Sequence, residues 1–260
     1  VETAEANIMT DEVMLALERL PEKIQSDLRH PNNLIYEGDR FGYDYTANVN
    51  DYEIFGLAEF TYSKVDFYGA ATGKFNQFWR TGNMQNGKFP ENSYGDSEKQ
   101  EFLNGGFKTG ITYKITGRHF IDVNGAYLAK PPNFSASFLS ARTRNEAVEG
   151  LKNEKVLTGD LSYIVRTPFI KSRATVYYTK ITDKLWSRSF YHDQLRSFVN
   201  YIMQDVDQLN MGAEIGVEMK LNPVFTLTGG WAKGQYLYDS RPSVTITQDN
   251  DAELLAEDQT

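Results

Sequence analysis

His30, His119 and His192 are the side chains whose ordinary pKa suits proton transfer near neutral pH. None stands in a spaced ligand pair such as H-E-x-x-H, and neither a glycine-rich phosphate loop nor a nucleophile elbow is present. In Tyr191-His192-Asp193 the adjacent side chains diverge if the backbone is extended, so they do not make a catalytic pair. Cysteine is absent, which excludes thiolate metal sites and a disulfide framework. The acidic run Gln248-Asp249-Asn250-Asp251-Ala252-Glu253 offers oxygen ligands of the kind calcium takes. It lacks the glycine and distal glutamate of an EF-hand loop and reads as a solvated loop. No enzyme, no metal site and no cofactor is expected.

The better candidates for binding are aromatic. Phe78, Trp79 and Arg80 stand where a strand emerges into a long loop, and Phe89 and Tyr94 lie within that loop. Such rings stack on sugars or apolar ligands, and a guanidinium pairs with carboxylates. The competing reading is an interfacial girdle, which puts Trp, Tyr and Phe at strand ends whatever the ligand.

The elements that position these residues are strands. From Leu209 to Leu221 the apolar residues Leu209, Met211, Ala213, Ile215, Val217, Met219 and Leu221 alternate with polar residues or glycine. After Asn222-Pro223 the pattern resumes through Phe225, Leu227 and Trp231, so two strands meet at a tight turn. About eleven residues tilted near 45° project to ~26 Å, close to the ~25 Å apolar band of an outer-membrane barrel. Of this hairpin, Asn210, Glu214, Glu218 and Lys220 are expected to face a lumen, and Ile215 and its neighbours of the same parity to face lipid.

Further period-two runs begin at Phe41, Ile54, Val65, Phe107, Ile121, Leu157 and Ala174, giving about nine strands in consecutive order. The connections Ser63-Lys64, Thr116-Gly117-Arg118, Thr167-Pro168-Phe169 and Asn222-Pro223 are short. Those from Arg80 to Glu101, Lys130 to Asn153, Asp183 to Phe198 and from Tyr238 onward are long, and they alternate with the short ones, with a brief Asn50-Asp51 link as the exception on the long side. Short turns at one end and long loops at the other are the habit of outer-membrane barrels.

Ahead of the strands, Thr10 caps a short helix, Pro21 opens a second with Ile24 and Leu28 on one face, and His30-Pro31 ends it. The net charge of -8 argues against a nucleic-acid surface. No apolar run is long enough for a membrane helix, a test that β-barrels escape.

Several segments are familiar together: Gly38-Asp39-Arg40-Phe41-Gly42-Tyr43-Asp44-Tyr45, Phe78-Trp79-Arg80-Thr81-Gly82-Asn83, and Phe89-Pro90-Glu91-Asn92-Ser93-Tyr94-Gly95-Asp96. So are Tyr113-Lys114-Ile115-Thr116-Gly117-Arg118-His119, Asn124-Gly125-Ala126-Tyr127, Asn153-Glu154-Lys155 and Val199-Asn200-Tyr201. Over the span from Tyr36 to Tyr238 the chain resembles the barrel of TonB-dependent receptors that carry a carboxypeptidase-like regulatory domain. The resemblance implies a large barrel, an N-terminal plug, import of a scarce ligand and energy from TonB. It also allows a surface lipoprotein partner. Plug, TonB box and the aromatic-terminated last strand are not found in this sequence, which therefore reads as an internal piece of the barrel.

The expected architecture is thus all-β, part of an antiparallel up-and-down transmembrane β-barrel with a short helical extracellular insertion. Residues 1–35 form that helical loop segment, 36–238 the strands with their long loops, and 239–260 the start of a further extracellular loop. The expected function is TonB-energised uptake across the outer membrane of a small-molecule or oligomeric ligand. Outer-membrane lipid and the TonB complex, reached through the plug, are the implied partners. A soluble or surface β-rich glycan-binding or adhesion module, or a passive porin, are the alternatives.

Overall fold

The period-two stretches form one antiparallel sheet. The computed structural model describes Glu22, residues 25–194 and 197–248, and the backbone of a last strand. The strands are β1 (Tyr45–Thr61), β2 (Val65–Gly82), β3 (Gly95–Asp96), β4 (Gln100–Lys114), β5 (His119–Lys130), β6 (Glu154–Arg166), β7 (Ile170–His192), β8 (Ser197–Lys220), β9 (Thr226–Tyr238), β10 (Ser243–Gln248) and β11 (Leu254–Gln259). Neighbours in the sheet follow chain order, β1-β2-β4-β5-β6-β7-β8-β10-β11, with β3 beside β2 and β9 beside β8. The sheet is not closed on itself among the described residues.

Register lines up one face into a continuous apolar surface. Phe60 pairs with Phe67, Phe67 with Ile111, Ile111 with Val123, Val123 with Leu161, and Leu161 with Val176. All six are exposed. A second line joins Phe107, Tyr127 and Leu157, and Ile215 stands opposite Trp231. A soluble monomer does not leave such a surface to water, whereas lipid covers it without cost. Tyr62, Tyr113 and Tyr163 stand at its short-turn end, the place of an interfacial girdle.

The opposite face is polar and cross-linked. Thr112 donates to Asp122 at 2.6 Å, Asn124 to Asp160 at 3.2 Å, and Lys114 pairs with Asp66 at 2.6 Å. Arg173 donates to Ser162 at 3.1 Å and lies 3.5 Å from Asp122. Two glycines allow tyrosines to lie flat here. The Tyr177 and Tyr236 hydroxyls meet at 3.0 Å, and a Cβ on Gly212 would stand 2.7 Å from the Tyr177 hydroxyl and 2.6 Å from a backbone carbonyl. Gly110 does the same under Tyr68, whose hydroxyl reaches Asn124 at 3.3 Å.

The short connections, residues 62–64, 115–118, 167–169 and 221–225, all fall at one end. In the last, Asn222 accepts from the amides of Val224 and Phe225 at 2.9 and 2.8 Å, and Pro223 loses nothing by lacking an N–H.

Four expectations need correction or delimiting. From Tyr45 onward the runs that begin at Phe41 and Ile54 belong to one strand, with no turn at Asn50-Asp51. The parity switch there has a physical cause: above the apolar surface, the outer face meets water and the inner face meets packed loops. Asn48 and Asn50 accordingly turn outward to bond Thr81 at 2.8 Å and Gln77 at 3.1 Å, and Gln77 bonds Glu101 at 2.6 Å. The segment from Asp183 to Phe198 is mostly strand, since β7 runs to His192 and β8 starts at Ser197. A register shift beside Asp183, whose φ is +58°, disguised the continuation.

After Tyr238 the chain does not stay in a loop. β10 resumes the pairing with β8 that β9 leaves off, across a break where Ser240 accepts from the Asp207 amide and donates to the Asp205 carbonyl, both at 2.8 Å. The helix capped by Thr10 lies outside the described residues, as does the start of the second, and residues 25–32 form bends and turns.

Leu161→Arg, in the middle of the apolar line, is expected to destabilise the full-length protein in lipid vesicles by about 2–4 kcal/mol in a denaturant titration. Lys108→Gln, exposed on the opposite face, should stay within about 0.5 kcal/mol.

Candidate functional site

At the long-loop end, β2 carries its side chains past the apolar surface, and the alternation of the strand separates them. Trp79 points to the outer face, partly exposed, with the Lys99 ammonium 4.7 Å above its ring. Phe78 and Arg80 point to the inner face and are buried. Phe78 stacks on Phe102 of β4 at 5.6 Å and meets Phe134 edge-on at 5.8 Å.

Arg80 is 1 % exposed and is a structural hub. Its Nε donates to the Ala141 carbonyl at 2.7 Å; its Nη1 donates to the Ser93 carbonyl at 2.9 Å and to the Asn145 side chain. The guanidinium also lies 5.2 Å from the Tyr45 ring. Burial lowers its pKa to about 10, so the group stays charged at neutral pH. A buried cation without a carboxylate is tolerated because carbonyl oxygens and a ring face surround it.

The remaining sequence candidates divide similarly. Phe89 is buried with the Arg144 guanidinium 4.8 Å over its ring. Tyr94 is exposed, with Arg29 stacked 4.3 Å over the ring and donating to its hydroxyl. Of the five loop candidates, Trp79 and Tyr94 therefore present ring surface to solvent, while Phe78, Arg80 and Phe89 serve the packing of the loops.

Asn210, Glu214, Glu218 and Lys220 share the polar face of β8. Glu214 stands opposite Thr175, Glu218 pairs with Lys171 at 3.1 Å, and Lys220 closes the strand opposite Thr226. The three histidines are not brought together: His30 bonds Asp27 at 2.8 Å, His119 bonds the Tyr163 hydroxyl at 2.8 Å, and His192 ends β7. Among the described residues, no group of three His, Asp or Glu is placed to hold a metal ion. Only Gln248 of the acidic run lies within the fully described residues.

Sequence reasoning missed residues 131–153 as a folded unit. After Pro131-Pro132 the chain makes a 3-10 turn, Phe134–Ala136, begun by Asn133 accepting from the Ser135 amide at 3.0 Å. It then doubles back through a bridge between Phe138 and Ala147. Phe138 joins Phe78 and Phe102; Leu139 and Val148 join Ile202 of β8. The signal was legible: Phe134, Phe138, Leu139 and Val148 are too apolar for a solvated loop.

No family model matches the chain, and no curated protein matches it in sequence. Solved structures share its fold. The ferric-catecholate import receptor Fiu of E. coli K12 aligns over 84% of this chain and 34% of its own, with a TM-score of 0.54 at 15% identity. The FrpB iron transporter of Neisseria meningitidis aligns over 78% and 30%, with a TM-score of 0.51 at 14% identity. The chain thus spans about a third of the length of these structures. The likeness is one of fold: this chain has the fold of a segment of the barrels of these two proteins, with one face of the sheet apolar and the other polar.

Asp27 anchors residues 25–32 to the loop above β2. Burial raises its pKa, but the His30 side chain and the amides of Gln85 and Arg29 outweigh that and hold it below the ordinary aspartate value. A depressed carboxyl stabilises above its unfolded pKa and loses the contribution as pH falls through its folded pKa. Acidification below the ordinary aspartate range should therefore free this segment, seen as faster amide exchange at Gln85 and Arg29. Asp27→Asn should give the faster exchange already at neutral pH.

Proposed function

We propose that the chain is part of the wall and outer loops of an outer-membrane receptor that takes up a scarce ligand with energy from TonB. The observation that carries this reading is the pairing of an unbroken exposed apolar line with a cross-linked polar face behind it. That combination suits a wall between lipid and a water-filled interior. A soluble adhesion module would expose Ile111, Val123, Leu161 and Val176 to water.

The wall makes and breaks no bond in this reading. Its contribution is binding: Trp79 and Tyr94 offer rings at the outer end, and Asn210, Glu214, Glu218 and Lys220 line the interior. The solved neighbours are named for ferric-catecholate import and for iron transport. They support uptake of a scarce nutrient as the class of activity, and the ligand here is a small molecule or oligomer of that kind. TonB and outer-membrane lipid are the partners; a surface lipoprotein fits the same architecture.

The chain has no cysteine, so single cysteines report without background from it. With the full-length protein in its native outer membrane, Glu214→Cys should react with a membrane-impermeant maleimide at least tenfold faster than Ile215→Cys. Equal rates, or recovery of the protein in the soluble fraction, would overturn the reading. Trp79→Ala and Tyr94→Ala should each weaken uptake from a panel of iron chelates, cobalamin and oligosaccharides at unchanged surface level, and removal of TonB should abolish it.

A further inference from the structure

We propose that residues 131–153 are a strap latched across the concave face, and that Arg80 is the latch that makes this strap and the loop of residues 83–99 one body. The placement of two successive residues is the starting point. Phe138 packs on Phe78 and Phe102, from β2 and β4, while Leu139 packs on Ile202 of β8. Along the sheet β4 and β8 are four strand spacings apart, roughly 19 Å. Neighbouring residues of one chain reach both, so the sheet is curled and the strap runs as a chord across it.

Independent bonds hold each part of the chord. At its middle, Leu139 donates to the Glu146 carbonyl at 3.1 Å and Val148 to the Ser137 carbonyl at 2.9 Å, closing the hairpin on itself. On the β8 side, Lys152 meets Asp205 at 2.9 Å, and Gln204 donates to the Glu149 carbonyl at 2.8 Å. On the β2 side, the Asn145 amide donates to the Asn92 carbonyl at 2.7 Å, and its side chain donates to the Gly95 carbonyl at 3.2 Å.

Arg80 sits where these contacts converge. Of its three acceptors, the Ser93 carbonyl belongs to the loop of residues 83–99, and the Ala141 carbonyl and the Asn145 side chain belong to the strap. One planar guanidinium therefore ties two loops to the strand that carries it, a task the point-like ammonium of lysine performs poorly. Residues 146–150, the returning arm of the hairpin, line both of two cavities of about 630 and 740 Å³ and form the ridge between them. A solute arriving at this end passes to one side of the ridge or must break the latch.

The inference does not depend on the uptake reading, because its test follows the strap itself. In the full-length protein in detergent or lipid, the amides of Leu139, Asn145 and Val148 should exchange at least a hundredfold more slowly than in an unfolded peptide. Spin labels at Glu91 and Glu149 should give one narrow distance distribution. Arg80→Met should accelerate those amides and tryptic cleavage after Arg142 and Lys152 tenfold or more, with Arg80→Lys between. Asn145→Ala, which leaves Arg80 in place, should accelerate them less, and it keeps the test available if Arg80→Met does not fold. Unprotected amides or a broad distance distribution in the unaltered protein would overturn the proposal, as would unchanged rates in both variants.

Discussion

A strand that crosses hydrocarbon can place its backbone hydrogen bonds only on neighbouring strands. The ladders here obey that constraint without interruption. β1 pairs with β2 from Tyr45 opposite Gly82 to Thr61 opposite Asp66, and β5 pairs with β6 over the whole of β5. Register shifts between β7 and β8 fall beside Asp183, beyond the apolar surface, where water is at hand. The same constraint explains why an open sheet is incomplete: β1 and β9 each have one paired side among the described residues, and closure calls for further strands beside both.

With the backbone satisfied, the side chains are free to divide by parity. Lipid takes one set and the interior takes the other, so a single alternation encodes two surfaces. On the interior side, small residues serve as much as charged ones: Gly110 and Gly212 leave the room in which Tyr68 and Tyr177 lie along the wall. Carboxylates there are answered locally, Asp66 by Lys114 and Glu53 by Lys74 at 2.8 Å. Above that zone the interior becomes apolar, and loop and wall pack on each other as a soluble core would, around Phe78, Phe102 and Phe138.

Most of the wall was legible in the sequence because alternation survives as long as both environments do. The hairpin at Asn222 and the other three short turns could be placed from it. What was not legible are the changes of environment along one strand. At Asn50 the outer face passes from lipid to water, the preferred parity inverts, and a pattern reader sees two strands instead of one. The bulge at Asp183 had the same effect. For the candidate site, alternation separates Trp79 from Phe78 and Arg80, but that the inner face is covered at this height is decided by loop contacts some 60 residues away, as with Ala141 and Arg80 at a separation of 61. No local spacing reports that.

The bond from Gln77 to Glu101 has a mechanical corollary. It sits on the outer face just above Phe75, while Tyr62, Tyr113 and Tyr163 mark the other margin of the same face. Sinking the wall by one residue pair, roughly 6–7 Å along a strand, would draw a carboxylate into hydrocarbon; raising it would lift tyrosine hydroxyls out of their preferred depth. The wall is staked at both margins and cannot act as a piston. In the uptake reading proposed above, a pull applied from below would be spent on what the wall encloses.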